Sequence, residues 1–346
     1  MQAWTLPWVA SALVGLTVGC APEAAEVVPP PAATLSLLAV GDTGRPPERD
    51  PEGFRLRVGA AMAAEDRRLA VDAVVLLGDN FYPGGLLEAE LAHRVRENVA
   101  RPFCHFVRLD GPRSAEVADA CPAPAAERHP VPILAVLGNH DYDTRGSARL
   151  QRSVLPEFIP NWRMTEGTTG TETLHPRVDL LLLDTSRIFA GRTKRRRVLA
   201  ESFATSRSPW LVVAGHHPPT VGSASDDSIA TAEAAAFFEQ AVERSGVRPQ
   251  LWIAGHEHNL QLHRGGGEGP ALTAIAGAGS EPRQPGPRPG AIFAGSGLGF
   301  ARIDLVGAGD DEALVVTLFT VDPRPGDPPT PVAQARVTTR GEVSTP

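Results

Sequence analysis

With 346 residues, of which 42% are hydrophobic, the chain can bury a large core, and its size suits one big domain. A formal charge of −7 and a pI near 5.8 lack the basic footprint of a protein that grips a phosphate backbone, so no nucleic-acid partner is expected.

The apolar stretch from Trp8 to Val18 is too short to span a bilayer and suits the core of a secretory signal peptide. Thr17-Val18-Gly19-Cys20 resembles a bacterial lipoprotein cleavage box, in which the cysteine becomes the acylated first residue. Thr17 stands where Leu is usual and no Lys or Arg precedes the apolar core, so an ordinary signal peptide with an incidental cysteine is the competing reading. Both readings send the chain out of the cytoplasm, to the periplasm or cell surface, and acylation of Cys20 would anchor it to a bacterial membrane. Residues 21–33, rich in Pro, Ala and Glu, cannot form a core and read as a tether to a domain over residues 34–340, with a short tail at 341–346.

Within the domain one pattern recurs: a short apolar run, a glycine, then a residue able to bind a metal. Leu35–Val40 leads to Gly41-Asp42, and after a helix predicted over Phe54–Ala70 the run Ala73–Leu77 leads to Gly78-Asp79-Asn80. A helix over Leu87–Ala100 and a polar loop flanked by Cys104 and Cys121 precede Val131–Leu137, which leads to Gly138-Asn139-His140-Asp141. Ser147–Val154 reads as helix and Asn161–Thr173 as a surface loop bordering the site. Val178–Leu183 reads as a strand ending at Asp184, a structural carboxylate capping a turn. Lys194-Arg195-Arg196-Arg197 reads as the solvated face of a helix. Trp210–Ala214 leads to Gly215-His216-His217 and, beyond a helix over Ala232–Arg244, Leu251–Ala254 leads to Gly255-His256-Glu257-His258. Ala271–Ala276, Phe300–Leu305 and Ala313–Val321 are further strands, assigned to a second sheet, with Glu281–Gly290 in a Pro-rich loop between the first two.

Val-, Ile- and Leu-rich runs separated by helices are the signature of buried strands in an α/β sheet, and ligands gather at the carboxyl ends of such strands. Asp, Asn and His without thiolates suit hard to borderline cations, and five such loops supply more donors than one ion needs. Two ions sharing a carboxylate is an arrangement used to hydrolyse phosphate esters. His256 and His258, two residues apart, can serve one ion each.

These motifs make the chain resemble the calcineurin-type metallophosphoesterases. Gly78-Asp79-Asn80-Phe81-Tyr82 and Gly255-His256-Glu257-His258-Asn259-Leu260-Gln261 make it most similar to the small, tartrate-resistant type of purple acid phosphatase. The resemblance implies an α/β protein, a four-layer α/β/β/α sandwich. It implies Asp42, Tyr82 and His258 on a ferric ion, Asp79 bridging, and Asn139, His216 and His256 on a second ion that is Fe(II), Zn or Mn. His140 contacts the phosphate or protonates the leaving group, Asp141 orients His140, and His217 is a further donor. The implied reaction has the two ions hold the phosphate and acidify a water that attacks phosphorus in line, on a small-molecule phosphate ester or a phosphoprotein. A phosphodiesterase or nucleotide hydrolase on the same core is the alternative, and a non-catalytic surface lipoprotein is disfavoured because every ligand position is filled.

With Cys20 assigned to the lipid, Cys104 and Cys121 are the cysteines left, and an exported chain lives where disulfides persist, so they are expected to pair. A zinc site on Cys104 and His105 lacks further spaced ligands nearby. His93, His105, His129, His175 and His263 have no motif around them and read as surface or packing residues.

Overall fold

A computed structural model describes residues 32–346 apart from 190–193, 220–227, 268, 287–289, 323 and 325–326. The expected export signal, Cys20 and most of the tether therefore lie outside the described residues. So do the side chains of residues 194–196, although Lys194–Thr205 is helical.

In chain order the strands are β1 (Ala33–Val40), β2 (Ala73–Leu76), β3 (Ile133–Ala135), β4 (Trp162–Arg163), β5 (Thr169–His175), β6 (Val178–Leu183), β7 (Trp210–Gly215) and β8 (Leu251–Ala254). There follow β9 (Leu260–Arg264), β10 (Leu272–Ala276), β11 (Ala291–Gly295), β12 (Gly299–Val306), β13 (Ala313–Thr320), β14 (Thr330–Thr338) and β15 (Val343–Ser344). They form two sheets, ordered β15-β14-β13-β12-β1-β2-β3-β4 and β11-β9-β10-β8-β7-β6-β5. The strands that carry the motifs sit side by side and parallel in each: β1, β2 and β3 in the first sheet, β7 and β8 in the second.

Alternation along each strand decides which layer a side chain joins. Leu35, Leu37 and Ala39 of β1 pack with residues of the other sheet such as Leu180, Val212 and Ile253, filling the space between the sheets. Leu38 and Val40 point the other way, onto Val58 and Met62 of the helix Phe54–Arg68. On the far side of the second sheet, Leu181, Val213 and Trp252 are covered by Leu199 and Phe203 of Lys194–Thr205 and by Phe238 of the helix Ser228–Ser245. The central strands of both sheets are thus buried on both faces, which explains their near-continuous apolar runs, and the result is the four-layer α/β/β/α sandwich.

Several elements differ from the sequence reading. Strands β12 and β13 extend the first sheet, not the second, because β12 pairs antiparallel with the free edge of β1, Leu37 facing Ile303. Asn161–Thr173 is not a loop: Trp162 is buried in β4, and β5 is a polar edge strand whose partly exposed residues leave no apolar alternation to read. Strand β9 carries the buried polar residues Gln261 and His263, which satisfy each other at 2.6 Å, and so interrupts the apolar pattern. Residues of the supposed tail form β15, pairing Ser344 with Arg336.

Cys104 and Cys121 are bonded. They close a loop of 17 residues' separation beside the buried Asp66, which accepts from His105 at 2.7 Å and His129 at 3.1 Å. Constraining the unfolded chain by such a loop contributes roughly 3 kcal/mol. The C104S/C121S variant is expected to melt several degrees lower in thermal denaturation under non-reducing conditions, and an unchanged midpoint would show the bond to be idle.

Candidate metal centre

The carboxyl ends of β1, β2, β3, β7 and β8 meet at one point, and the backbone there is forced into close approach. Gly78 has φ +89°, and a Cβ on it would lie 2.7 Å from both Gly138 N and His216 Nδ1. A Cβ on Gly138 would lie 2.1 Å from Asp79 Oδ1. Asp42, Asp79 and His256 adopt left-handed backbone at φ 60°, 52° and 68°, the described non-glycine residues that do so. Such conformations are costly for side-chain-bearing residues and persist where surrounding structure holds them for a purpose.

Two groups of donors result, joined by one carboxylate. In the first, the Tyr82 hydroxyl lies 2.8 Å from Asp42 Oδ1, 2.9 Å from Asp79 Oδ2 and 3.0 Å from His258 Nε2. In the second, His216 Nε2 lies 3.4 Å from Asp79 Oδ2, 3.1 Å from Asn139 Oδ1 and 3.2 Å from His256 Nδ1. His217 belongs beside the second group, since a nitrogen from each of His216, His217 and His256 falls within 4.8 Å of the others. Asp42, Asp79 and His216 are almost wholly buried, at 0%, 2% and 0% exposure.

This donor set fits cations. His216 Nδ1–H donates to the Leu77 carbonyl at 2.9 Å, so Nε2 turns its lone pair toward Asn139 Oδ1 and His256 Nδ1. Three lone-pair atoms so close need a proton or a metal among them. Burial opposes charging His216, yet the Asp79 carboxylate and then Asp42 lift it to about 9. Burial likewise opposes the charge on Asp79, and His216 and then His140 more than offset it, holding the carboxyl well below its ordinary range. Burial, then Asp42 and Asp79, push the Tyr82 phenol up, and a cation among these groups would reverse the electrostatic part. Burial and the neighbouring His216 and His256 pull His217 far down.

The residues around the donors fix the loops. Asp141, expected to orient His140, does something else: its carboxylate accepts from Gly138 N at 2.9 Å, Asn80 N and Phe81 N at 3.2 Å and Gln151 Nε2 at 2.9 Å, stapling the second motif to the third. Burial and the nearby Asp79 raise its pKa. His140 is oriented by the Pro83 carbonyl, to which Nδ1–H donates at 2.6 Å, and by Asp143 at 3.4 Å. Arg94, unnoticed in the sequence, is buried and donates to the Tyr82 carbonyl at 2.7 Å and the Gly44 carbonyl at 3.2 Å. Thr185 likewise gave no signal, and its Oγ1 lies 2.9 Å from His217 Nδ1. Asp184 is structural, accepting from Tyr142 and from Arg152 at 2.8 Å and capping the helix Thr185–Phe189 through Arg187 N.

Residues 35–260, more than half of the chain, match the sequence model of the calcineurin-like phosphoesterases. The chain belongs to that family. This phosphoesterase is therefore a metal-dependent hydrolase of phosphate esters. It is 26% identical over 271 residues to purple acid phosphatase 17 of Arabidopsis thaliana, covering 72% of this chain and 69% of that one. With purple acid phosphatase 3 of the same plant it shares 25% over 250 residues, 66% of this chain and 58% of the relative. In fold it is similar to GAP50, described as the anchor in the inner membrane complex of Plasmodium, with TM-score 0.58 and 15% identity over 86% of this chain and 87% of that one. A structure of PhoD superposes at TM-score 0.56 and 10% identity, over 91% of this chain and 72% of the other.

Proposed function

We propose that this phosphoesterase hydrolyses phosphate monoesters at a dinuclear centre of the purple acid phosphatase kind. One observation carries the reading: Asp79 Oδ2 stands between the Tyr82 hydroxyl and His216 Nε2, so a single carboxylate belongs to both donor groups. Asp42, Tyr82 and His258 would hold one cation and Asn139, His216 and His256 the other. The phenol, a hard anionic donor once deprotonated, favours Fe(III) at its site, while the second set suits Fe(II), Zn or Mn. When bound, the cations supply positive charge for the phosphate oxygens and acidify a water for attack on phosphorus.

The chain's own residues do the rest. Asp79 Oδ1 accepts from the His140 backbone N–H at 3.0 Å, tying the proton donor to the shared ligand. With Nδ1–H engaged by Pro83, His140 presents Nε2 to the leaving oxygen. His217 packs against His256, its ring 4.5 Å away, and supports that ligand. The N-terminal segment Met1–Cys20 and the Cys104–Cys121 bond support an exported, lipid-anchored enzyme.

Metal analysis and a visible spectrum test the reading. Two ions per chain are expected, one of them iron, with a visible absorption band that disappears in Tyr82→Phe, and p-nitrophenyl phosphate should be cleaved faster than its bis ester. Absence of iron and of the band would remove the purple acid phosphatase assignment, and a faster diester would replace the phosphatase by a phosphodiesterase.

A further inference from the structure

The pocket over the metal ligands, about 610 Å³, is lined by Asp79, His140 and His258 and also by Arg45, Arg49 and Arg283, for which the hydrolytic chemistry has no use. Arg45 rides on the loop that carries Asp42, and Arg283 lies in the segment that follows β10. Arg45 follows Asp42 by three residues, and its surroundings are pinned: Gly44 N–H donates to the Asp79 carbonyl at 3.0 Å, Tyr82 N–H donates to the Gly44 carbonyl at 2.9 Å, and Asn98 Nδ2 donates to the Arg45 carbonyl at 3.0 Å. Arg283 is tied as directly, its backbone N–H donating to the carbonyl of His258.

Their charge is only loosely matched. Glu281 lies 3.8 Å from Arg45 Nη2 and 3.6 Å from Arg283 Nη2, beyond hydrogen-bonding distance, so both guanidiniums keep donors to offer. Arg49 is exposed on the same wall. Glu257 and Glu281 are the carboxylates of the pocket besides Asp79, so the wall beyond the metal ligands carries three guanidiniums against two carboxylates.

We propose that Arg45 and Arg283, assisted by Arg49, form a second anion subsite, and that the preferred substrate is a phosphate monoester whose leaving group carries a further phosphate or carboxylate. The inference rests on the phosphatase reading for the place of the scissile phosphate. The charge of that phosphate would be met by the cations that Asp42, Asp79 and the histidines would hold, so rim guanidiniums gain nothing from an uncharged leaving group. A second anion, in contrast, meets forked donors whose geometry matches two oxygens of a phosphate or carboxylate. Glu281 is the carboxylate that lies near both forks and is the group the anion displaces.

The test compares matched pairs of substrates in the metal-loaded protein. Fructose 1,6-bisphosphate against fructose 1-phosphate probes a second phosphate, and 3-phosphoglycerate against glycerol 3-phosphate probes a carboxylate. In at least one pair the doubly anionic member should show kcat/KM about tenfold higher, through KM, and the advantage should shrink as salt rises. The R45A/R283A variant should lose that advantage, and Glu281→Gln, which removes the competing carboxylate, should enlarge it. Metal content equal to wild type checks folding, with R45Q/R283Q as the replacement if the alanine variant loses metal. Ratios that stay within twofold of wild type in the arginine variants, or wild-type ratios near one in both pairs, overturn the subsite. Calorimetric binding of the same four compounds separates the two inferences. Without turnover the phosphatase reading fails, while tighter binding of a doubly anionic member that depends on Arg45 and Arg283 still supports the subsite, and equal binding overturns it.

Discussion

Asp79→Asn is expected to abolish phosphatase activity by about a thousandfold or more while leaving the metal-free fold intact. The magnitude follows from the position of the carboxylate, since one oxygen faces both donor groups and removing its charge weakens both cation sites together. Asparagine keeps an oxygen to accept from His140 N–H and is among the residues that best tolerate the left-handed backbone that Asp79 adopts at φ 52°. The polypeptide should therefore melt within a few degrees of metal-free wild type. A cation that binds only the folded state stabilises by RT ln(1 + [M]/Kd), so added metal should raise the wild-type midpoint and leave the variant's unmoved. Two ions per chain in the variant, or a midpoint that still climbs with metal, would show that Asp79 is not shared.

The convergence of the five strand ends was legible because buried parallel strands must be apolar on both faces, and the glycine that ends each is demanded by the crowding around Gly78 and Gly138. Sheet membership was not legible. Alternation marks β12 and β13 as strands, but nothing in Phe300–Leu305 says that its partner is the free edge of β1, far back in the chain, as the Leu37–Ile303 pairing requires. Edge and polar strands were missed for a related reason: β5 is half-exposed, and β9 buries Gln261 and His263 where an apolar residue was sought. Within the site, the misassignment of Asp141 has a geometric cause. His140 begins a helical turn, where adjacent side chains diverge and residues three apart share a face, so Asp143 and not Asp141 is the carboxylate that reaches the imidazole. The rim arginines lay in Pro- and Gly-rich turns with no periodicity, and only the fold brings Arg45 and Arg283 to one wall.

His140→Ala should separate proton donation from metal binding, because the ring is attached to the centre without belonging to either donor group. It is 39% exposed, stands edge-on to Tyr82 at 4.7 Å between centroids, and has Nδ1 committed to the Pro83 carbonyl. Both metals should remain in the variant, along with the Tyr82-dependent visible band. General-acid catalysis matters most when the leaving oxygen is a poor anion, so kcat for an alkyl phosphate such as glycerol 3-phosphate should fall by about 10²–10⁴. With p-nitrophenyl phosphate, whose leaving group departs as a stable anion, the loss should be about tenfold or less. A histidine that merely held the phosphate would instead raise KM, or lower kcat, to the same extent for both substrates. An equal loss on the two would therefore move His140 from proton donor to phosphate ligand, and would leave the leaving-group proton to be supplied by solvent, since His217 is not among the described residues that line the pocket and its pKa is held down by burial and its neighbours' charge.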